Sequence, residues 1–177
     1  MDEKIKKISN FPNAAFAVWP FEPTKNFERF HNRIVILGLN PSAKIVFGQN
    51  FHTEGHRFDG WYQEGFSKRP FYGAYMTDLI SHHEVDSKII VEKWKKDAEF
   101  KKSNIENLQN QFDILGVTET TAMVCLGYNT RALFSLAFVN FTNVFAVRHP
   151  NGIRVKNPKA VFLSELENIG RKINEIN

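Results

Sequence analysis

Asn40 and His149 each follow an apolar run. Ile34-Val35-Ile36-Leu37-Gly38-Leu39 leads into Asn40-Pro41-Ser42, and Val144-Phe145-Ala146-Val147 leads into Arg148-His149-Pro150-Asn151-Gly152. A side-chain amide can hold a water molecule through its carbonyl oxygen but is a poor base, so it orients rather than deprotonates. An imidazole N–H can donate to an oxygen on which negative charge collects, and losing such a donor typically costs roughly a hundred- to a thousandfold in rate. Together these residue types suit attack by a positioned water on a group that departs with negative charge. The plain alternative is that Asn-Pro and His-Pro only end strands and open turns.

Both runs read as buried parallel strands, rich in β-branched residues and stopped by a proline that cannot donate to the ladder. Ligands in open α/β sheets collect at the carboxyl ends of the strands, which would let Asn40 and His149 face one crevice. Tyr75-Met76-Thr77-Asp78-Leu79-Ile80 and Ala122-Met123-Val124-Cys125-Leu126 supply two more strands. Ile89, Ile90, Trp94 and Ala98 form a weak stripe among Lys93, Lys95, Lys96, Lys101 and Lys102, read as a surface helix that is either a solvated face or a phosphate track. Ile105, Leu108, Phe112 and Leu115 repeat at helical spacing. A helix is expected from about Thr130 to Phe138, and Asn157-Pro158 reads as an N-cap with proline at the first position of the last helix. The alternation runs from about residue 33 to 175 and predicts an α/β fold: a three-layer α/β/α sandwich around a short, mainly parallel sheet.

The two motifs have a family resemblance. Gly38-Leu39-Asn40-Pro41-Ser42 resembles the water-activating motif of the uracil-DNA glycosylase superfamily, usually Gly-x-Asn-Pro-Gly in its mismatch-specific and single-strand-selective branches. His149-Pro150-Asn151-Gly152-Ile153-Arg154 resembles the second motif, which begins His-Pro-Ser or Asn-Pro-Ser. The resemblance implies that Asn40 holds the attacking water and His149 stabilises the leaving base. Leu39, Pro41 and Ser42 would lie beside the base. Asn151 and Gly152 would form the DNA-binding turn, with Ile153 as the wedge that fills the gap left by a flipped nucleotide and Arg154 near phosphate. Phe51, eleven residues after Asn40, would stack on the base. Phe47 and Phe58 compete for that role, and all three also suit a core.

Two departures stand out. Ser42 replaces the usual glycine and adds a side chain where backbone approaches the ligand. Asp78 aligns with a base-reading Asn; an ionised Asp only accepts hydrogen bonds and would oppose uracil O4. If Asp78 lines the pocket, it carries either a carboxyl pKa raised by burial or a preference for bases with amino donors. Otherwise it caps a turn.

The stretch from Phe47 to Tyr72 is long and aromatic, a functional loop or a capping layer. His52 with His56, and His82-His83-Glu84, offer incomplete metal sets, and neither a metal nor another cofactor is expected. Cys125 is the only cysteine, so an intrachain disulfide and a four-cysteine iron–sulfur cluster are excluded. It reads as a buried, inert thiol.

At 177 residues the chain is expected to form one domain over its whole length. A hydrophobic fraction of 42% with 14% aromatics excludes disorder, and a formal charge of +4 mildly favours an anionic partner. The absence of a signal core or a run of about twenty apolar residues predicts a cytoplasmic protein without a membrane partner. The leading expectation is a monomeric glycosylase-like hydrolase acting on single- or double-stranded DNA that contains a deaminated or damaged base. The second is a weak or inactive glycosylase-fold protein that binds nucleic acid or a protein. The third is an unrelated α/β enzyme acting on a small nucleotide or metabolite under an aromatic lid.

Overall fold

The central strands are apolar on both faces, so helices must cover both faces. In the computed structural model, which describes residues 3–52, 55 and 57–176, the strands are β1 (Ala15–Phe16), β2 (His31–Gly38), β3 (Ala74–Asp78), β4 (Ala122–Leu126) and β5 (Val144–Val147). They form one sheet in the order β1-β3-β2-β4-β5. β1 runs antiparallel to β3, and every other pairing is parallel. The helices are α1 (Glu3–Ile8), α2 (Pro23–Asn26), α3 (Asp59–Phe66), α4 (Ser87–Lys96), α5 (Ala98–Leu115), α6 (Tyr128–Ala137) and α7 (Pro158–Ile176).

Because side chains alternate along a strand, β2 and β4 divide their residues between two cores. Val35, Leu37, Met123 and Cys125 face a core closed by α1, α4, α5 and α6, where Trp94, Phe112 and Phe134 are buried. Ile34, Ile36, Val124 and Leu126 face the other, closed by α3 and α7 through Tyr62, Phe66, Phe162 and Leu166. This is the expected α/β/α sandwich. Burial pushes the Cys125 thiol up to about 12, consistent with an inert core position.

Several boundaries differ from the sequence pattern for identifiable reasons. The α/β rhythm starts before residue 33, because α1 and the two-residue strand β1 are too short to show a period. The aromatic stretch contains α3 instead of being one loop. The lysine-rich helical region breaks at Asp97, whose Oδ1 accepts from the Phe100 amide at 2.9 Å and so caps α5. α6 starts at Tyr128, two residues earlier than expected, because Gly127 at φ +101° turns the chain directly from β4 into the helix. At α7 the expected cap is present: Asn157 Oδ1 accepts from the Ala160 amide at 3.4 Å. Among the described residues, no helix is long and apolar enough to cross a membrane.

Buried polar contacts fix β3 against α5. Thr77 Oγ1 donates to Gln111 Oε1 at 2.8 Å, and the Tyr75 hydroxyl donates to the same oxygen. The pairing of β2 with β3 sets Gly38 beside Asp78 at the carboxyl ends of the two strands.

Candidate active site

A cavity of about 760 Å³ opens at the carboxyl ends of the strands. The turn after β2 contributes Leu39, Asn40, Pro41 and Ser42 to its wall, and the turn after β5 contributes His149, Asn151 and Gly152. The floor includes Gly38, Asn50, Phe51 and Asp78, while α3 adds Tyr62. The N-terminus of α6 adds Tyr128, Asn129 and Thr130.

Asn40 is held in one orientation. Its Nδ2 donates to the Glu84 carbonyl at 2.7 Å and to the Pro41 carbonyl at 3.0 Å. Two carbonyl acceptors can only face the amide nitrogen, so the amide oxygen is turned the other way. Among the described residues no donor reaches that oxygen. The surrounding turn is strapped down as well: the Glu84 amide donates to the Pro41 carbonyl at 3.2 Å, and His83 Nε2 lies 3.0 Å from the Ser42 carbonyl. A free neutral acceptor on a fixed turn is the chemical requirement for orienting a water molecule.

His149 is fixed by its own turn. The Asn151 amide donates to His149 Nδ1 at 3.2 Å, and the Gly152 amide donates to the His149 carbonyl at 2.7 Å. A nitrogen that accepts carries no proton in the neutral ring, so Nε2 carries the N–H. The preceding Arg148 anchors the turn to α7, donating from its amide to Glu165 Oε2 at 2.9 Å and forming an ion pair with the same carboxylate. The Phe58 ring meets the imidazole edge-on, with centroids 6.2 Å apart.

Asp78 ends β3 and is 3% exposed. Its Oδ2 accepts from Asn50 Nδ2 at 2.7 Å, and that nitrogen also donates to the Asn13 carbonyl at 2.8 Å. Burial pushes the carboxyl up to about 7, against a smaller opposing effect of the Asn50 hydrogen bond. Phe51 adopts φ +62°, a conformation a bulky residue rarely takes, and its ring packs edge-on against Tyr62 at 5.7 Å. Such backbone positions concentrate at functional sites because the surroundings must enforce them.

Residues 25–168 match the uracil DNA glycosylase superfamily. The chain belongs to that superfamily. No curated protein sequence matches it.

The two motif turns that resemble the glycosylase superfamily's thus meet at one cavity, together with Phe51 and Asp78. Two residues of the second motif do not join them. Ile153, expected as the wedge, is 6% exposed and packs in the core that also holds Phe162 and Leu166 of α7. Arg154 is exposed but lies outside the cavity wall. Of the competing aromatics, Phe58 lines the cavity, whereas Phe47 packs edge-on against Phe21 at 5.4 Å. Asp78 sits at the cavity floor instead of capping a turn.

The described histidines of the two candidate metal sets each have other partners. His52 Nε2 bonds the Phe16 carbonyl at 2.7 Å, and its ring lies tilted against Trp19 with centroids 4.2 Å apart; His56 lies outside the described residues. His83 bonds backbone, and His82 meets the Phe100 ring. Among the described residues no group of three His, Cys, Asp or Glu side chains could hold a metal ion. Lys95 and Lys96 on α4 pair with Glu92, so part of that helix's positive charge is locally balanced. Tyr62 belongs to the aromatic stretch of the sequence without being singled out there, and Asn50 and the start of α6 join the site only through the fold. Asn50 adjoins Phe51, but a single Asn in a loop gives no signal until the fold brings it to Asp78.

Proposed function

We propose that this chain is a single-domain, monomeric DNA glycosylase that hydrolyses the N-glycosidic bond of a deaminated or damaged base flipped out of DNA. The observation that carries the reading is the paired polarity of Asn40 and His149: one wall of the cavity presents an amide oxygen, and the other carries a histidine whose proton sits on Nε2. Superfamily membership supports the same reaction class.

As the bond to the base breaks, the sugar becomes cationic and the base gains negative charge. Asn40 Oδ1 accepts a hydrogen bond from a water and so aims a lone pair of the water oxygen at the anomeric carbon. His149 Nε2–H donates to the carbonyl oxygen of the departing base. Phe51 stacks on the extruded base, and Leu39, Pro41 and Ser42 enclose it. Asn151, Gly152 and Arg154 contact the DNA backbone, the turn approaching closely because glycine adds no side chain. The water adds after the cationic sugar has formed, its oxygen bonding the anomeric carbon and its proton passing through solvent to the departed base anion, so charge balances and no strong base is needed.

The test is base release from single- and double-stranded oligonucleotides carrying uracil, hypoxanthine, xanthine or mismatched thymine, read as alkali-labile sites. Asn40→Ala and His149→Ala are each expected to slow release by about 10²- to 10³-fold. Unchanged rates in both variants would refute the assignment. Salt-sensitive binding without release from any oligonucleotide would identify a binding protein instead.

A further inference from the structure

The polar groups at the cavity floor are nearly all acceptors. Asn50 Nδ2 uses both of its hydrogens, on the Asn13 carbonyl and on Asp78 Oδ2. The Asn13 carbonyl fixes that orientation whatever the state of Asp78, so Asn50 offers only Oδ1 to the cavity. Asp78 offers Oδ1, and no donor among the described residues reaches either oxygen.

An ionised Asp78 would be a buried carboxylate with one neutral hydrogen bond and, among the described residues, no cation beside it. Such a group is strongly disfavoured and takes up a proton instead. In the acid form the pair becomes complementary, with a hydroxyl donor on Asp78 beside a carbonyl acceptor on Asn50. That pattern matches a ring N–H adjacent to a ring carbonyl, the edge shared by uracil, hypoxanthine and xanthine. Cytosine and adenine present the reverse, a ring nitrogen acceptor beside an amino donor.

Building on the glycosylase reading, we propose that Asp78 and Asn50 form the base-reading edge, with Asp78 as a carboxylic acid donating to the base carbonyl and Asn50 Oδ1 accepting the adjacent ring N–H. Deprotonating Asp78 then leaves only acceptors and removes the discrimination. A buried carboxyl kept neutral so that it can donate has precedent in enzyme sites. The carboxyl's rise to about 7 sets the range in which the switch operates. The other titratable groups facing it are Tyr62 on α3 and Tyr75 on β3, both pushed up by burial and by the Asp78 charge and therefore uncharged in that range. Gly38 on β2 and Phe51 in the following loop contribute no charge. Asp59, Glu84, Arg148 and His149 line the same cavity.

The deciding measurement is affinity for oligonucleotides carrying 2′-fluoro-2′-deoxyuridine or 2′-fluoro-2′-deoxycytidine, which resist hydrolysis, from about pH 5.5 to about pH 8.5. The wild-type preference for the uracil analogue is expected to fall by about tenfold per pH unit above the Asp78 pKa. In Asp78→Asn, whose amide is a permanent donor, the preference is expected to be independent of pH; comparing the two removes titrations elsewhere. The same pH dependence in both proteins, a preference for cytosine at low pH, or no binding of either analogue would overturn the proposal. Because binding is read without cleavage, the two readings fail separately. Absent base release with pH-switched discrimination refutes only the glycosylase activity, and release with pH-independent discrimination refutes only the base-reading edge.

Discussion

Gly38 lies directly against the Asp78 carboxyl: a Cβ at residue 38 would stand 2.1 Å from Asp78 Oδ1 and 3.0 Å from Phe51 Cζ. The cross-strand pairing of these residues causes the approach, and glycine permits it by lacking a side chain. Gly38→Ala must displace the carboxyl or the ring. The carboxyl is buried and the ring half-buried, so the variant is expected to lose about 1–3 kcal/mol of stability, typical of overpacking, and at least tenfold in base release. Thermal melting and single-turnover release check the two parts, and a full-rate variant would show that the carboxyl's position does not matter.

The hydrogen bonds of Asn40 separate orientation from basicity. Aspartate is a stronger base than an amide, yet at residue 40 it would face the Glu84 and Pro41 carbonyls with an oxygen in place of a donor. Asn40→Asp is therefore expected to be no better than Asn40→Ala, with both slowed by about 10²-fold or more. Release by Asn40→Asp faster than wild type would mean that this position acts as a base.

The sheet and the two motif turns were legible in the sequence because strong signals coincided there. The β4 and β5 segments match their apolar runs residue for residue, and prolines mark the exits to Asn40 and His149. What stayed hidden depends on contacts distant in sequence. The Asn50–Asp78 bond spans 28 positions and the Asn40–Glu84 bond 44, and neither leaves a periodic trace. Motif order, on which the wedge expectation for Ile153 rests, likewise does not report that its side chain packs in the core.

Asp78 and His52 give opposite pH dependences of stability. The Asp78 carboxyl rises from 3.8 to about 7 on folding, so between those values the native state holds more protons and stability falls as pH rises. Burial lowers His52 from 6.5 to about 4, so between about 4 and 6.5 the unfolded state holds more protons and stability falls as pH drops. Each effect is on the order of 3–4 kcal/mol, and the two oppose each other between about pH 4 and 6.5. Asp78→Asn is expected to gain stability over wild type as pH rises from about 4 to about 8, while becoming the more acid-sensitive of the two. Denaturant titrations across that range test the sign, and a difference that shrinks as pH rises would contradict it.

Ile153 offers a direct choice between packing and insertion into DNA. It is 6% exposed and belongs to the core that also holds Phe162 and Leu166 of α7. Truncating a buried isoleucine to alanine removes apolar contacts and leaves a cavity, which typically costs about 2–5 kcal/mol. Ile153→Ala is therefore expected to lower the melting temperature clearly. Its rate on single-stranded DNA, measured well below that temperature, should change in the same proportion as its rate on duplex DNA. A wedge predicts the reverse: little change in melting and a selective loss on duplex, where a flipped nucleotide leaves a gap to fill. If Ile153 behaves as a core residue, the exposed apolar side chains at the cavity, Val85 at 77% and Tyr128 at 61%, are the next positions to test for that function, since both line its wall.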